Sequence, residues 1–206
     1  MAQTDKMTTE DQLILVDEQD RQVGTCGKME AHERALLHRA FSIFVFSAQK
    51  LLIQKRAAGK YHCAGIWANS CCSHPRDGEK LHEAVRRRLP EETGIIVGKD
   101  GAVPEEAGII VGRGGIAVPE LREAGSFIYK AEFDNGLTEH ELDHVFVGEM
   151  SPEDAAKYDG ATMRNPEEAD EMLFVDIDWL QQDMKSAPEK YAPWFIKALP
   201  IALDAR

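Results

Sequence analysis

Cys72 and His74 stand two residues apart in the run NSCCSHPRDGEKLHEAVRRRLPEETG (69–94), and the acidic pair Glu91-Glu92 closes it. A thiol carries a proton or attacks as a soft nucleophile, an imidazole binds metals or protons, and carboxylates do either. Residues two apart on an extended strand point the same way, so Cys72 and His74 share a face if this stretch is extended. Cys71 then faces the opposite side, as a buried structural thiol. The same alternation puts both carboxylates of Glu139-His140-Glu141 on one face. His32 and His38 are six apart, too far for neighbouring turns of one helix, and need a bend to meet. Three histidines and two carboxylates make a nitrogen/oxygen set suited to a divalent transition ion. Any one of these histidines alone is more often an ordinary hydrogen-bonded side chain, so only the group carries weight.

These residues need elements to hold them. LILVD (13–17), the turn EQD and RQVGT read as two strands, and AFSIFVF (40–46) with LLIQKR (51–56) reads as a hairpin around SAQ. Apolar residues at Leu81, Ala84, Val85 and Leu89 keep helical spacing over 80–89. Pro90 lacks the helical donor and clashes with the preceding turn, which predicts a kink or an end near Leu89. Strands are expected over 126–132 and 141–150, joined by a loop holding Asp134-Asn135-Gly136. MLFVDID reads as a strand, DWLQQDMK opens a helix, and YAPWFIKALPIAL is a second helix, interrupted by Pro200. Strands and helices mix without steady βα alternation, the mark of an α+β fold with a mixed sheet.

With 206 residues, 43% apolar and 29% charged, the chain is read as one domain with a real core. A net charge of −12 argues against nucleic acid held by its phosphates, and an anionic substrate would have to be met locally, by a metal or a few basic side chains. The polar start MAQTDKMTTEDQ is no signal peptide, and no apolar run approaches the ~20 residues of a membrane span. The four cysteines, two of them adjacent, suggest no disulfide framework, so a reducing cytoplasm is expected. PEETGIIVGKDGAV (90–103) is followed by PEEAGIIVGRGGIAV (104–118), a near-tandem duplication with a second pair, Glu105-Glu106. Two copies are too few for a solenoid, and the glycine content reads as a tolerated surface insertion at about 95–118.

HPRDGEKLHEAVRRRLPEETG resembles a degenerate Nudix box, a loop-helix-loop whose acidic residues hold magnesium on a diphosphate. The usual Arg-Glu before the apolar residue is here Arg87-Arg88, so one expected metal carboxylate is missing. KMEAHERALLHRAFS, KRAAGKYHCAGIWANSCCSHP, FIYKAEFDNGLTEHELDHVF and the late APWF together are similar to the type I isopentenyl diphosphate isomerases, a family of Nudix-fold enzymes. The likeness covers the chain outside its two ends and the duplication, and W-x-N-S-x-C-x-H-P with E-x-E is far more specific than the box.

The resemblance implies a Nudix-like mixed β-sheet flanked by helices, and a 1,3-allylic proton shift between isopentenyl and dimethylallyl diphosphate. By position, Cys72 and Glu141 match the catalytic pair and Tyr129 a hydroxyl close to the glutamate. His32, His38, His74, Glu139 and Glu141 match the ligands of one divalent ion, described for the family as zinc, manganese or magnesium. Glu92 matches the carboxylate of a second ion, Mg2+, bridging to the diphosphate. Lys28, Arg56, Lys60 and Arg88 match the basic diphosphate contacts, and Trp194 an aromatic wall over the hydrocarbon. A small diphosphate is then the partner, with neither nucleic acid nor membrane, on a monomer or homodimer. Two rivals stand beside this reading. A Nudix diphosphate hydrolase would need magnesium but not Cys72, and a structural zinc module would need a closed four-ligand site, often with CxxC spacing, which the chain lacks.

Overall fold

The computed structural model describes residues 12–98 and 116–206. Its organising element is strand β3 (His38–Ser47), the apolar run AFSIFVF extended at both ends. The run is continuous because β3 is buried on both faces. Phe41, Ile43 and Val45 enter one core with Ala84, Val85 and Leu89, while Phe44 and Phe46 enter the other with Trp194, Phe195 and Leu199. Fully burying each such side chain contributes about 1.5–3 kcal/mol.

The remaining strands assemble around β3. β1 (Gln12–Val16) and β2 (Gln22–Gly27) form the expected first hairpin, and β1 meets β3 at Leu15 and His38. β4 (Lys50–Arg56) returns from β3 through a tight turn at Ala48. β5 (Trp67–Ala68) pairs with β4 and β6 (Cys71–Ser73) with β3. β9 (Arg122–Glu132) and β10 (Thr138–Glu149) make the second hairpin, and β10 runs parallel to β3 over nine pairs. β11 (Ala169–Asp176) closes the far edge against β4. The short β7 (Ile96–Val97) and β8 (Ala117–Val118) pair separately, in parallel. The ends of the duplicated segment are therefore buried core, while 99–115, including Glu105-Glu106, lie outside the described residues.

Six helices flank the sheet among the described residues: α1 (Lys28–Glu33), α2 (Leu81–Thr93), α3 (Pro152–Lys157), α4 (Gly160–Met163), α5 (Ile177–Ser186) and α6 (Pro193–Asp204). Two expectations are corrected here, an end of the helix near Leu89 and an interruption at Pro200. α2 runs through Pro90 to Thr93, and α6 runs through Pro200 to Asp204. Each proline removes one helical donor, but packing and polar contacts hold the turn beyond it. After Pro90, Glu92 pairs with Arg88, the Glu92 carbonyl accepts from Asn165 N–H, and Gly94 caps the helix at φ 75°. A Cβ at Gly94 would stand 2.8 Å from the Met163 carbonyl, so glycine is required twice over. After Pro200, Ala202 is packed without exposure in the C-terminal core. No helix among the described residues is long and apolar enough to cross a membrane.

Candidate active site

The site grows from the backbone register of β3. Its partner β10 sets Glu141 opposite His38, and β6 sets Cys72 opposite Ser42. Alternation then turns Cys72 and Glu141 into one cleft of about 580 Å³, also lined by Ala40, Phe41, Ser42, Tyr61, His62, Ser73 and Glu168. Cys71 has no exposure and sits in the opposite core, as alternation requires.

β6 is aimed by buried polar groups. Asn69 Nδ2 donates to the Ile43 and Cys71 carbonyls at 3.2 and 2.7 Å, and its Oδ1 accepts from Trp194 Nε1 at 3.1 Å. Ser70 Oγ donates to the Leu52 carbonyl and accepts from Val45 N–H. The Asn-Ser of the W-x-N-S motif thus fixes the strand that carries the thiol, because an unpaired polar group in this core would cost about 1–3 kcal/mol. Burial pushes the Cys72 thiol well up, against the pull of Arg56, whose Nη1 lies 3.6 Å from the sulfur. The thiol holds its proton at neutral pH.

The bend between His32 and His38 is a turn after α1. Ala35 takes φ 52°, and His140, between the two glutamates on the other face of β10, donates Nδ1–H to the Ala35 carbonyl at 3.0 Å. The rings of His32 and His38 come to 5.1 Å, as do those of His38 and His74. His32, His38, His74 and Glu141 present ligand atoms all within 4.8 Å of one another. His32 and His38 each place Nδ1 on a backbone carbonyl, Lys28 O at 2.6 Å and Leu36 O at 2.8 Å. Those bonds require the proton on Nδ1, which leaves both Nε2 atoms as acceptors, that of His32 with the Tyr61 hydroxyl 3.5 Å away. His38 Nε2 is buried without a hydrogen bond, an orphan of the kind a cation satisfies. Burial lowers His32 to about 4 and His74 to about 3, so both are neutral at pH 7, the form that can bind a metal. The donor set fits a divalent ion.

Glu139 joins a second, overlapping group with His32 and His62. Tyr129 ties the two groups, its hydroxyl 2.8 Å from Glu139 Oε2 and 2.6 Å from Glu141 Oε2. Burial, then repulsion from Glu141, raises Glu139 to about 8, whereas the bond from His74 Nε2 at 2.9 Å helps hold Glu141 well below the usual carboxylate range despite its burial.

Lys28, Arg56, Lys60 and Arg88 line the same cleft, which gathers four cations in an acidic chain. Lys60 pairs with Glu168, and Arg88 contacts Ser73, Glu91, Glu92 and Glu168. Glu92 is 2% exposed and engaged by Arg88, behind the cleft rather than on its wall. Trp194 belongs to the C-terminal core and also lines the cleft, with the Arg56 guanidinium 5.3 Å from its ring. Nine of the thirteen residues singled out from the sequence line one cleft, and His32, His38, Tyr129 and Glu92 stand behind it. Tyr61, His62 and Glu168 were not singled out. The first two sit in a turn beside Lys60, and Glu168 stands far along the chain, so no periodic signal marked them.

A mixed sheet with the box helix α2 packed on it defines a NUDIX fold, and the NUDIX domain family matches residues 36–195. A solved NUDIX hydrolase from Alicyclobacillus acidocaldarius superposes with a TM-score of 0.53 at 13% identity, covering 80% of this chain and 90% of that one, a likeness of fold alone. In sequence, the chain is 45% identical to isopentenyl-diphosphate Delta-isomerase 1 of Aromatoleum aromaticum, covering 96% of this chain and 95% of the relative. It is 41% identical to isopentenyl-diphosphate Delta-isomerase of Burkholderia multivorans over 90% and 89% of the two chains. The chain belongs to the isopentenyl-diphosphate Delta-isomerase family of NUDIX proteins.

Proposed function

We propose that the chain interconverts isopentenyl and dimethylallyl diphosphate by protonating the terminal alkene carbon and removing a proton from the carbon on the other side of the resulting cation. One observation carries the reading: a thiol and a histidine-tethered carboxylate, Cys72 and Glu141, line the same small cleft. An unactivated alkene is a very weak base, so its protonation needs a positioned acid and a water-poor pocket that favours the tertiary cation. Cys72 and Glu141 are the two proton-handling groups, one delivering and the other removing. Trp194 offers its π face to the cation. Tyr129, bonded to both glutamates, orients Glu141 and passes a proton between the carboxyls.

Lys28, Arg56, Lys60 and Arg88, which line the same cleft, hold the diphosphate. Glu168, with Lys60 and Arg88 on its two oxygens, keeps two of those cations apart and oriented before substrate arrives. His32, His38, His74, Glu139 and Glu141 would hold a divalent ion, Mn2+ or Zn2+, which when bound fixes and polarises the Glu141 carboxylate. Mg2+ would accompany the diphosphate, and Glu92 is the carboxylate that the family resemblance assigns to it. The test is incubation with isopentenyl diphosphate and Mg2+, followed by proton and phosphorus NMR. Dimethylallyl diphosphate with no phosphate release is expected. Hydrolysis of a nucleoside diphosphate without any allylic product would replace this reading with a hydrolase.

A further inference from the structure

Glu139 has two partners, Tyr129 and His62, and the second is given no role by the sequence. His62 lies in the turn between β4 and β5, 7% exposed, with Nε2 2.9 Å from Glu139 Oε1. Its ring is fixed on several sides. It lies flat on Phe133, with 5.0 Å between centroids and 4° between planes. Tyr61 and Trp194 meet it edge to face at 4.3 and 6.0 Å, and Arg56 Nη2 approaches its backbone carbonyl at 3.5 Å. A ring so confined presents Nε2 in one direction, at the Glu139 oxygen that Tyr129 does not use.

We infer that His62 is a positioning residue: through its Nε2–H it holds the Glu139 carboxyl beside His32, pre-aiming one more oxygen at the ion site of His32, His38, His74 and Glu141. The inference rests on the proposed ion-binding role of that set. Three observations support it. Glu139, His32 and His62 bring ligand atoms within 4.8 Å of one another, so the carboxyl that His62 grips is already at the border of the set. The contact falls on Oε1 and leaves Oε2 to Tyr129, so both oxygens have a neighbour that restrains the carboxyl plane. The stack on Phe133 supplies rigidity that a donor on a free side chain would lack. Hydrogen-bond partners behind metal ligands set ligand orientation, and their loss typically costs about 10–100-fold in metal affinity.

Two substitutions separate the donor from the stack. His62→Phe keeps an aromatic ring on Phe133 and removes the donor, and His62→Gln keeps an N–H and removes the ring. Mn2+ affinity of the full chain is measured by competition against a chelator, with thermal melting of the metal-free proteins alongside. The expected result is a loss of about 10–100-fold for His62→Phe, with melting close to that of the parent, and recovery of most of the affinity in His62→Gln. Parent-like Mn2+ affinity in His62→Phe overturns the inference while leaving the ion site standing. Equal large losses in both variants overturn it in favour of His62 as a direct ligand. A parent that binds no Mn2+ overturns the ion site itself, and this inference with it.

Discussion

The Tyr129 hydroxyl sits 2.6 Å from Glu141 and 2.8 Å from Glu139, with one proton to offer two carboxyls. Both contacts are favourable only if one carboxyl carries a proton of its own. Burial and the neighbouring charge place that proton on Glu139, raised to about 8, while Glu141 is held ionised with the help of the bond from His74. Tyr129 then donates to Glu141 and accepts from Glu139, and Glu139 Oε1 remains to accept from His62.

A pH dependence of ion binding follows. A metal ligand must be deprotonated. Glu139 is raised, so below about 8 it binds a proton that the ion has to displace. His32 and His74 are lowered to about 4 and 3 and bind none above pH 6. Apparent Mn2+ affinity should rise up to tenfold per unit from pH 6 to 8 and level off above. Calorimetry in buffers of different ionisation enthalpy should find about one proton released at pH 7. A flat affinity over that window, with no proton release, contradicts the arrangement.

Arg88 is the cation on which Glu92 depends. Glu92 is buried at 2% exposure, with Arg88 against one of its oxygens. Arg88→Leu should cost about 3 kcal/mol in urea unfolding, because breaking such a pair leaves a buried carboxyl uncompensated. Adding Glu92→Leu should restore most of that loss. A double variant as unstable as Arg88→Leu would show that the pair is not the origin of the effect.

Trp194 has two jobs that substitutions can divide. Trp194→Phe retains a π face over the cleft but loses the bond to Asn69 Oδ1. Trp194→Leu loses both. Cation–π contacts contribute about 0.5–2 kcal/mol, so the leucine variant should turn over about 2–30-fold more slowly than the phenylalanine variant at saturating substrate. Equal kcat values for the two would confine Trp194 to packing.

The periodic parts of this site were legible in the sequence. Two-residue alternation placed Glu139 with Glu141, paired Cys72 with His74 and sent Cys71 to the other core. It could not show that β10 lies parallel to β3, a long-range pairing that sets Glu141 beside His38. Nor did spacing show how His32 and His38 meet, since a single non-glycine residue at positive φ, Ala35, makes that bend. Pro90 and Pro200 misled because local propensity ignores the contacts that hold the last turn of each helix. His62 and Glu168 act from turns and carry no periodic signature at all.

The central claim is that Cys72 and Glu141 act on one hydrocarbon within one cleft. Its most direct measurement is turnover of isopentenyl diphosphate in deuterium oxide by the parent, Cys72→Ala and Glu141→Gln, with substrate binding followed in parallel. The parent should yield dimethylallyl diphosphate carrying solvent deuterium. Both variants should bind the diphosphate yet lose about 10²–10⁴-fold in kcat, the usual contribution of a positioned acid or base. Parent-like turnover and deuterium uptake in Cys72→Ala would contradict the account.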